Sequence, residues 1–257
     1  MTNSLLRSAL ILLSFAFLQV AGVSKTAAAP PSEQYKLVWA DEFDGDTLDL
    51  KKWGYRNLGP RRLAVNVKDC VSLDGKGNLL LTTRRNGDRI ETAMIGTAGR
   101  FEPTYGYFEC RVEFQDQPGQ WSAFWLQSPT IGKVGDPRIN GTEIDIFEYL
   151  VRYPTKMHHN LHWDGYGEAH KNEGTRPIIE DLADGFHTIG LLWTPDEYVF
   201  YVDGKETWRT KTAVSRRSQY IILSMEVDKW GGSIDDARLP DAVRFDYVRV
   251  YQKKNED

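Results

Sequence analysis

Three carboxylates, those of Glu143, Asp145 and Glu148, are spaced through a run of residues that is otherwise apolar and aromatic, as in a buried β-strand. Side chains of a strand alternate between its two faces, so Glu143 and Asp145 share one face, while Ile144 and Ile146 point into a core. Retaining glycosidases use two carboxyl groups about 5 to 5.5 Å apart, one as the nucleophile and one as the acid/base. Two glutamates on one strand face with an aspartate between them therefore predict cleavage of a glycosidic bond.

Glu148 has the wrong parity for this acidic face. In a straight strand it would point into the core, where an unpaired carboxylate is strongly destabilising. One extra residue near Ile146 and Phe147 would form a β-bulge and return Glu148 to the face of Glu143 and Asp145. We therefore predict a bulge at this point. The structural alternative is a solvent-exposed acidic face, and the neighbouring strands argue against it.

The strand predicted over residues 120–127 places Trp121, Ala123 and Trp125 on one face. Indole rings stack on the apolar faces of pyranose rings, and the small Ala123 leaves room between them. Core packing is the alternative interpretation, because tryptophan is often buried.

The strand predicted after the acidic run carries His158, Asn160 and His162 on one face. His158 and His162 lie about 13 Å apart on an extended strand at roughly 3.3 Å per residue, which is too far for a shared zinc ion. Asn160 and His162 are instead assigned to substrate binding, together with Trp163, Trp230 and the two indoles of the preceding strand.

The chain after residue 34 is predicted to form short strands separated by turns. Residues 74–77 and 203–204 have typical turn sequences, and helical periodicity is nearly absent. The 22 glycines and 11 prolines fit a sheet protein with many turns. We therefore predict an all-β fold, a sandwich or jelly roll of two sheets, with no internal repeat and no further domain boundary.

Residues 1–29 are predicted to be a signal peptide. Arg7 precedes an apolar stretch over residues 9–22, and small residues follow. A membrane anchor is the alternative, but the apolar stretch is short and contains Ser14 and Gln19. Cleavage is expected between residues 22 and 32, which leaves a mature domain over residues 30–257 that is secreted or periplasmic, with no membrane association.

Charge argues against a nucleic-acid partner. The full chain has a formal net charge of −4. Removal of residues 1–29 takes away Arg7 and Lys25 and no acid, so the mature chain is more acidic still. Nucleic-acid-binding domains are typically basic.

Cys70 and Cys110 are the two cysteines of the chain. Export would permit a disulfide between them. The alternation of apolar residues around Cys110 is equally consistent with two buried free thiols. Both interpretations stay open at this stage.

Residues 143–148 resemble the active-site signature of glycoside hydrolase family 16, in the form with two residues between the aspartate and the second glutamate. Further segments resemble family segments in family order, so that the resemblance covers residues 35 to 252. These segments are residues 41–43, 77–79, 105–109, 123–126, 186–188, 193–197, 201–204 and 246–251.

The resemblance implies a concanavalin A-like β-jelly roll of two antiparallel sheets with a concave substrate cleft. It implies that Glu143 is the nucleophile, Glu148 the acid/base and Asp145 a group that assists both. It also implies that His162 lies near the acid/base and that the two indoles line sugar subsites. These expectations agree with the strand-face argument.

The resemblance implies no cofactor for catalysis. Many relatives bind a structural calcium ion on the convex side, through an N-terminal acidic segment and a late aspartate. Glu42 and Asp246 are the corresponding candidates here. The expected protein is a monomer whose partner is a polysaccharide.

Residues 61–65 and 159–166 depart from the common family pattern, and they leave the sugar open. The first expectation is a retaining endo-hydrolase of β-1,3- or mixed β-1,3/1,4-glucan. A marine galactan such as agar, porphyran or carrageenan is the alternative, and Arg61, Arg62 or Arg176 could then bind sulfate. A non-catalytic glucan-binding lectin is an alternative of a different class, although such relatives lack the three acids.

Overall fold

Strands account for nearly all the regular structure in residues 32–254, the part of the chain that the computed structural model describes. The predicted signal peptide lies outside these residues. One short helix, α1 (Pro137–Asn140), and 3₁₀ turns at Lys68–Cys70, Lys229–Gly231 and Ile234–Asp236 complete the elements. The strands are β1 (Tyr35–Asp41), β2 (Gly54–Tyr55), β3 (Gly59–Arg61), β4 (Ala64–Asn66), β5 (Val71–Leu73), β6 (Leu79–Asn86), β7 (Arg89–Thr92), β8 (Met94–Gly96), β9 (Gly106–Glu113), β10 (Gln120–Gln127), β11 (Glu143–Leu150), β12 (His158–Trp163), β13 (Lys171–Thr175), β14 (Phe186–Trp193), β15 (Tyr198–Val202), β16 (Lys205–Thr210), β17 (Tyr220–Val227) and β18 (Asp241–Lys253).

The strands form two sheets that pack face to face, and the predicted all-β jelly roll is confirmed. The seven-stranded sheet has the order β13-β12-β11-β10-β17-β8-β2. The eleven-stranded sheet has the order β16-β15-β14-β9-β18-β6-β7-β4-β3, with β1 paired to β18 and β5 to β6. Pairing is antiparallel except between β4 and β7. The acidic run lies on β11, in the seven-stranded sheet.

The core fills the space between the sheets. Strands of both sheets contribute apolar side chains to it, among them Phe108 of β9, Phe147 of β11 and Leu223 of β17, each fully buried. Alternate residues of the seven-stranded sheet point the other way, and they form a separate cluster around Trp121 and Trp125. The outer face of this sheet is therefore free to carry a site.

Cys70 and Cys110 are free thiols buried in the core. Burial raises the pKa of Cys70 to about 11, and burial also raises the pKa of Cys110 well above its ordinary value. Both thiols are therefore protonated at neutral pH. Of the two interpretations that the sequence leaves open, the structure shows the buried thiols.

The sequence of β9 alternates between a polar and aromatic face, which includes Tyr107 and Glu109, and an apolar face. The strand belongs to the eleven-stranded sheet, where it pairs with β14 and β18. Tyr107 and Tyr247 donate hydrogen bonds to the buried carboxylate of Glu109, so this face forms a polar cluster of its own. Strand alternation predicts which residues share a face, but it does not say which sheet the strand joins.

The segment over residues 164–176, whose polar sequence is typical of a long loop, contains strand β13. It pairs with β12 at the edge of the seven-stranded sheet. Its sequence lacks apolar alternation because an edge strand can be exposed on both faces.

Within residues 32–254, no helix has the length and apolar character needed to span a bilayer.

Candidate active site

The predicted β-bulge lies in β11, between Asp145 and Glu148. Asp145 pairs with Asn160 of β12 and Glu148 pairs with His158, so three steps along β11 match two steps along β12. The register against β10 shifts at the same point. The bulge leaves the adjacent Ile146 and Phe147 both buried in the core and returns Glu148 to the face of Asp145.

Three rows of side chains cross the outer face of the sheet at the level of the three acids. Each row combines residues that are paired in register on β17, β10, β11 and β12. The rows are Tyr220, Gln127, Glu143 and His162; Ile222, Trp125, Asp145 and Asn160; and Ser224, Ala123, Glu148 and His158. The three acids line a cavity of about 490 Å³ with residues of β10 and β17.

Two side chains donate hydrogen bonds to the same carboxylate oxygen of Glu143. Nε2 of Gln127 donates to Oε2 of Glu143 over 2.9 Å, and the hydroxyl of Tyr166 also donates to Oε2. No hydrogen bond to Oε1 is found among residues 32–254. One carboxylate oxygen is thereby fixed, while the other stays available for chemistry.

The side-chain amide of Gln127 is held in turn by its neighbours. Its Oε1 accepts hydrogen bonds from Nη2 of Arg56 over 2.6 Å and from the hydroxyl of Tyr220 over 2.5 Å. Its Nε2 donates to Glu143 and, over 2.6 Å, to the hydroxyl of Tyr166. An amide with both donors and both lone pairs in use has one orientation, so it fixes the position of Glu143.

Glu148 accepts a hydrogen bond of 2.6 Å from Nδ2 of Asn160. Burial raises the pKa of Glu148 well above its ordinary value, and the charges of Asp145 and Glu143 add to this effect, while Asn160 opposes it. Glu148 is therefore suited to carry a proton near neutral pH. Desolvation is the main cause, ahead of the neighbouring charges.

Asp145 lies between the two glutamates, and its Oδ2 is 3.3 Å from Nε2 of His162. Burial, and then the charge of Glu143, raise the pKa of Asp145 well above its ordinary value. Nδ1 of His162 lies 2.9 Å from Nε2 of His170, so a second ring orients the first. His162 therefore contacts Asp145, whereas Asn160 is the residue of β12 that contacts the expected acid/base.

Ligand atoms of Glu143, Asp145 and His162 lie within 4.8 Å of one another. Among the described residues, this is the group of acidic and histidine side chains that could hold a metal ion. A cation there would occupy Glu143, the carboxylate that the resemblance predicts to be the nucleophile. The acidic chemistry itself explains why these groups converge.

Replacing Gly174 with alanine is expected to lower kcat/KM at least about tenfold and the free energy of unfolding by about 1–3 kcal/mol. A Cβ atom there would overlap Oδ1 of Asn160 and lie 2.6 Å from the backbone oxygen of His159. Asn160 would move, and Glu148 would lose its hydrogen-bond donor. Initial rates and thermal unfolding measure the two effects.

The matched control for this prediction is Gly167→Ala. Apart from the two residues next to Gly167 in the chain, no residue of the described part has an atom within 4 Å of a Cβ built there. This variant should keep both activity and stability. Equal activity of the two variants would contradict a role for Asn160 in holding Glu148.

Of the four predicted tryptophans, two line the cavity. Trp121 and Trp125 flank the position of Ala123, which is paired with Glu148. Nε1 of Trp125 donates to Oγ of Ser224 over 3.1 Å. Both indoles are nevertheless almost fully buried in an apolar cluster, so they do pack in a core, and their role as a platform for sugar rings stays a prediction.

The other two tryptophans occupy different places. Trp230 packs edge-on against Trp121 and against His158, with ring centroids 5.2 and 5.4 Å apart. It therefore extends the aromatic surface beyond the cavity. Trp163 points to the opposite side of β12 and packs against the core, so the structure does not bring it to the cleft.

His158 faces the cleft side of β12, opposite Glu148, and both of its ring nitrogens are buried with no hydrogen-bond partner among the described residues. Burial lowers the pKa of His158 to about 4, and Arg176 and Lys156 lower it further. The ring is therefore neutral near pH 7. Its packing against Trp230 supports the aromatic end of the cleft.

Three arginines line the cavity, and they differ in their partners. Arg61 makes a two-pronged ion pair with Glu226, and Arg62 pairs with Asp228 over 2.9 Å. Arg56 has no acidic side chain within ion-pair distance among residues 32–254. Its guanidinium stacks 5.1 Å from the ring centroid of Tyr220. Arg56 therefore keeps an uncompensated positive charge beside the acids.

The two expected calcium ligands, Glu42 and Asp246, each pair with an arginine in this structure. Both oxygens of Glu42 are bound by Arg249 at 2.7 and 2.8 Å, and Asp246 pairs with Arg111 at 2.9 Å. Each carboxylate is thus neutralised by a guanidinium, which removes the charge that a divalent cation needs. Calcium at this position stays a prediction, and no step of the mechanism depends on it.

Sequence reasoning missed Gln127, Tyr166 and Arg56. Gln127 could have been found, because it follows Trp121 and Trp125 in the same alternation. Tyr166 belongs to the polar segment over residues 164–176, and nothing in the sequence singles out this residue. Arg56 lies on a segment far from the acidic run in the chain, and only the fold brings it there.

The family model for glycosyl hydrolases family 16 matches residues 63–249 of this chain. The chain is similar to a glucan endo-1,3-beta-glucosidase A1 of Niallia circulans, with 24% identity over 89% of this chain and 39% of that protein. It is similar to a keratan-sulfate endo-1,4-beta-galactosidase of Sphingobacterium multivorum, with 26% identity over 88% of this chain and 57% of that protein. The chain thus spans well under two thirds of the length of these two relatives.

The fold is similar to the crystal structure of a laminarinase from Flavobacterium sp. UMI-01. The TM-score is 0.74 and the identity is 29%, over 84% of this chain and all of that one. The similarity therefore extends over most of the chain.

Proposed function

Because the chain belongs to glycosyl hydrolases family 16, we propose that it is a retaining endo-glycosidase that hydrolyses β-1,3- or mixed β-1,3/1,4-glucan. The observation that carries the proposal is the bulge in β11, which turns Glu143, Asp145 and Glu148 to one face of the cleft. The relatives named for β-1,3-glucan and laminarin support the choice of glucan. A relative named as a keratan-sulfate endo-1,4-beta-galactosidase makes the sugar the open part of the proposal.

The first step forms a glycosyl-enzyme. Glu143 attacks the anomeric carbon through its available oxygen, and an ester bond forms there. Glu148 gives its proton to the glycosidic oxygen as the bond between that oxygen and the anomeric carbon breaks. The raised pKa of Glu148 supplies the proton, and Gln127 and Tyr166 hold Glu143 in place.

The second step releases the sugar. Glu148, now ionised, takes a proton from a water molecule, whose oxygen attacks the anomeric carbon. The ester bond to Glu143 breaks, and the product keeps the configuration of the substrate. Asp145 lies between the two carboxyl groups, where its charge keeps Glu148 ready to accept the proton again.

Replacing Asp145 with asparagine is expected to move the alkaline limb of the kcat/KM profile to lower pH. The negative charge of Asp145 raises the pKa of Glu148. Without that charge Glu148 loses its proton at lower pH, and the general acid is lost sooner. The pH dependence of kcat/KM measures this shift.

Asn160→Ala provides a control of opposite sign. The hydrogen bond from Asn160 lowers the pKa of Glu148, so its removal should move the alkaline limb to higher pH. Two shifts in the same direction, or none, would contradict the assignment of this limb to Glu148.

A galactan is the second candidate, and Arg56 is the observation that favours it. Arg61 and Arg62, which the sequence suggests for sulfate, are paired with acids, and Arg176 is not among the residues that line the cavity. Arg56 lines the cavity without an acidic partner among the described residues. A guanidinium in this state suits a sulfate or carboxylate on the sugar. The relative named for keratan sulfate is consistent with such a substrate.

A panel of polysaccharides tests the proposal. Reducing-sugar release and product sizing are measured on β-1,3-glucan, mixed-linkage glucan, agar, porphyran, carrageenan and keratan sulfate. Hydrolysis of the glucans to oligosaccharides supports the first candidate, and hydrolysis of the galactans supports the second. Binding to glucan without release of reducing sugar from any polymer would favour the lectin-like alternative.

Export to the periplasm or the medium, with a polysaccharide met outside the cytoplasm, is part of the same proposal. It depends on Arg7 and the apolar stretch after it. Mass spectrometry of the protein from each cell fraction tests it. A full-length chain retained in the cytoplasm would contradict export, and light scattering would test the expected monomer.

A further inference from the structure

Tyr166 reaches the catalytic carboxylate from outside the central strands. It lies between β12 and β13, and its side chain is 57% exposed. Its hydroxyl nevertheless donates to Oε2 of Glu143 and accepts a 2.6 Å hydrogen bond from Nε2 of Gln127. Packing alone does not account for this position, because a large exposed aromatic side chain gains little from burial there. The polar contacts of the hydroxyl define where the ring lies.

The segment that carries Tyr166 is fixed by contacts that do not involve the acids. Oδ1 of Asp164 accepts a hydrogen bond of 2.9 Å from the backbone N–H of Gly135, and its Oδ2 pairs with Nζ of Lys171 at 2.8 Å. Asp164 and Gly165 have φ angles of 63° and 74°, a left-handed pair that reverses the chain. The segment therefore presents Tyr166 from an anchored turn.

The same segment also contributes a contact that leads to Asp145. His170 lies at its far end, and its Nε2 is 2.9 Å from Nδ1 of His162, whose other nitrogen lies 3.3 Å from Asp145. The rings of His162 and His170 are stacked, with centroids 5.1 Å apart. Two side chains of one anchored segment thus end at two neighbouring carboxylates of the site.

We propose that Tyr166 is a positioning residue of this enzyme, whose hydroxyl holds Oε2 of Glu143 so that Oε1 faces the anomeric carbon. The inference rests on the proposed function, since it assigns Glu143 the role of nucleophile. Gln127 supplies the second donor from the sheet, and Tyr166 supplies the first from the segment between β12 and β13. Together they leave the carboxylate one orientation for attack.

Tyr166→Phe removes the hydroxyl and keeps the ring. The expected result is a fall in kcat of about 10- to 100-fold, the size of effect that follows a small misplacement of a reacting group, with KM changed less than about threefold. The rate of covalent trapping by a 2-deoxy-2-fluoro glycoside should fall in parallel, because trapping requires the same attack. The thermal unfolding midpoint should not move.

Tyr153→Phe is the matched control. Tyr153 packs beside His158 at the aromatic end of the cleft, and no hydrogen bond of its hydroxyl is found among the described residues. The same chemical change there should leave kcat and the trapping rate unaltered. A general effect of removing a hydroxyl near the cleft would appear in both variants.

Two outcomes would overturn the proposal. One is a Tyr166→Phe variant with kcat and trapping rate within about twofold of the unaltered enzyme. The other is a loss confined to KM, which would make Tyr166 an ordinary sugar contact. Failure of the proposed function looks different, because the unaltered chain would then release no sugar from any polymer.

Discussion

Replacing Glu148 with alanine is expected to lower kcat/KM on the polysaccharide by about 10²- to 10⁴-fold, the range that a positioned general acid contributes. Without its proton the leaving oxygen departs as an alkoxide, and without its carboxylate the second step has no base. The raised pKa of Glu148 and its hydrogen bond from Asn160 are the structural basis. Initial rates on the preferred polymer measure the loss.

The loss should depend on the leaving group. An aryl glycoside with a dinitrophenyl leaving group needs no proton, so the first step should stay fast and the glycosyl-enzyme should accumulate. Azide should then restore turnover, because a small anion needs no general base, and the product should be the β-glycosyl azide. Glu113→Gln is the control, since that residue forms a surface ion pair with Arg244 on the other sheet. Ordinary activity of the Glu148 variant on the polymer would remove it from the mechanism.

The alternation of side chains made the fold and the acidic face predictable. Strands β10, β15 and β17 end where apolar periodicity and turns place them. The bulge followed from one physical conflict, a carboxylate with the wrong parity for a buried face, and the structure resolves it as expected. The bulge could be predicted from local rules because the carboxylate of wrong parity and the extra residue lie on the same strand.

Contacts between distant segments could not be predicted in the same way. Arg56 and Tyr166 reach the site from opposite ends of the cleft sheet, and no spacing along the chain connects them with Glu143. Strand alternation predicts that Tyr107 and Glu109 share a face, but it cannot tell which of the two sheets their strand joins. The resemblance to a family implies that His162 lies near Glu148, but it does not say that the ring contacts Asp145 directly. Such details depend on strand register, which long-range packing determines.

Replacing Glu143 with glycine is expected to lower kcat/KM by at least about 10⁴-fold, which corresponds to about 5.4 kcal/mol of lost transition-state stabilisation. The covalent step disappears with this carboxylate, and no other group takes its place. Asp145 lies too close to His162 and too deep between the glutamates to act instead. A leaving group of low pKa should not rescue this variant, in contrast to the Glu148 variant.

The stereochemistry of rescue separates the two glutamates. With Glu143 absent, azide enters from the side that Glu143 occupied, so the product should be the α-glycosyl azide, whereas the Glu148 variant gives the β form. An α-glycosyl fluoride mimics the glycosyl-enzyme, and with Glu148 intact as the base the Glu143 variant should transfer that sugar to an acceptor. NMR of the products identifies the anomer of the glycosyl azide and the product of sugar transfer. If the Glu143 variant formed the β-glycosyl azide, Glu148 would be the nucleophile and Glu143 the acid/base. The hydrogen bonds from Tyr166 and Gln127 to Glu143 would then not position the nucleophile.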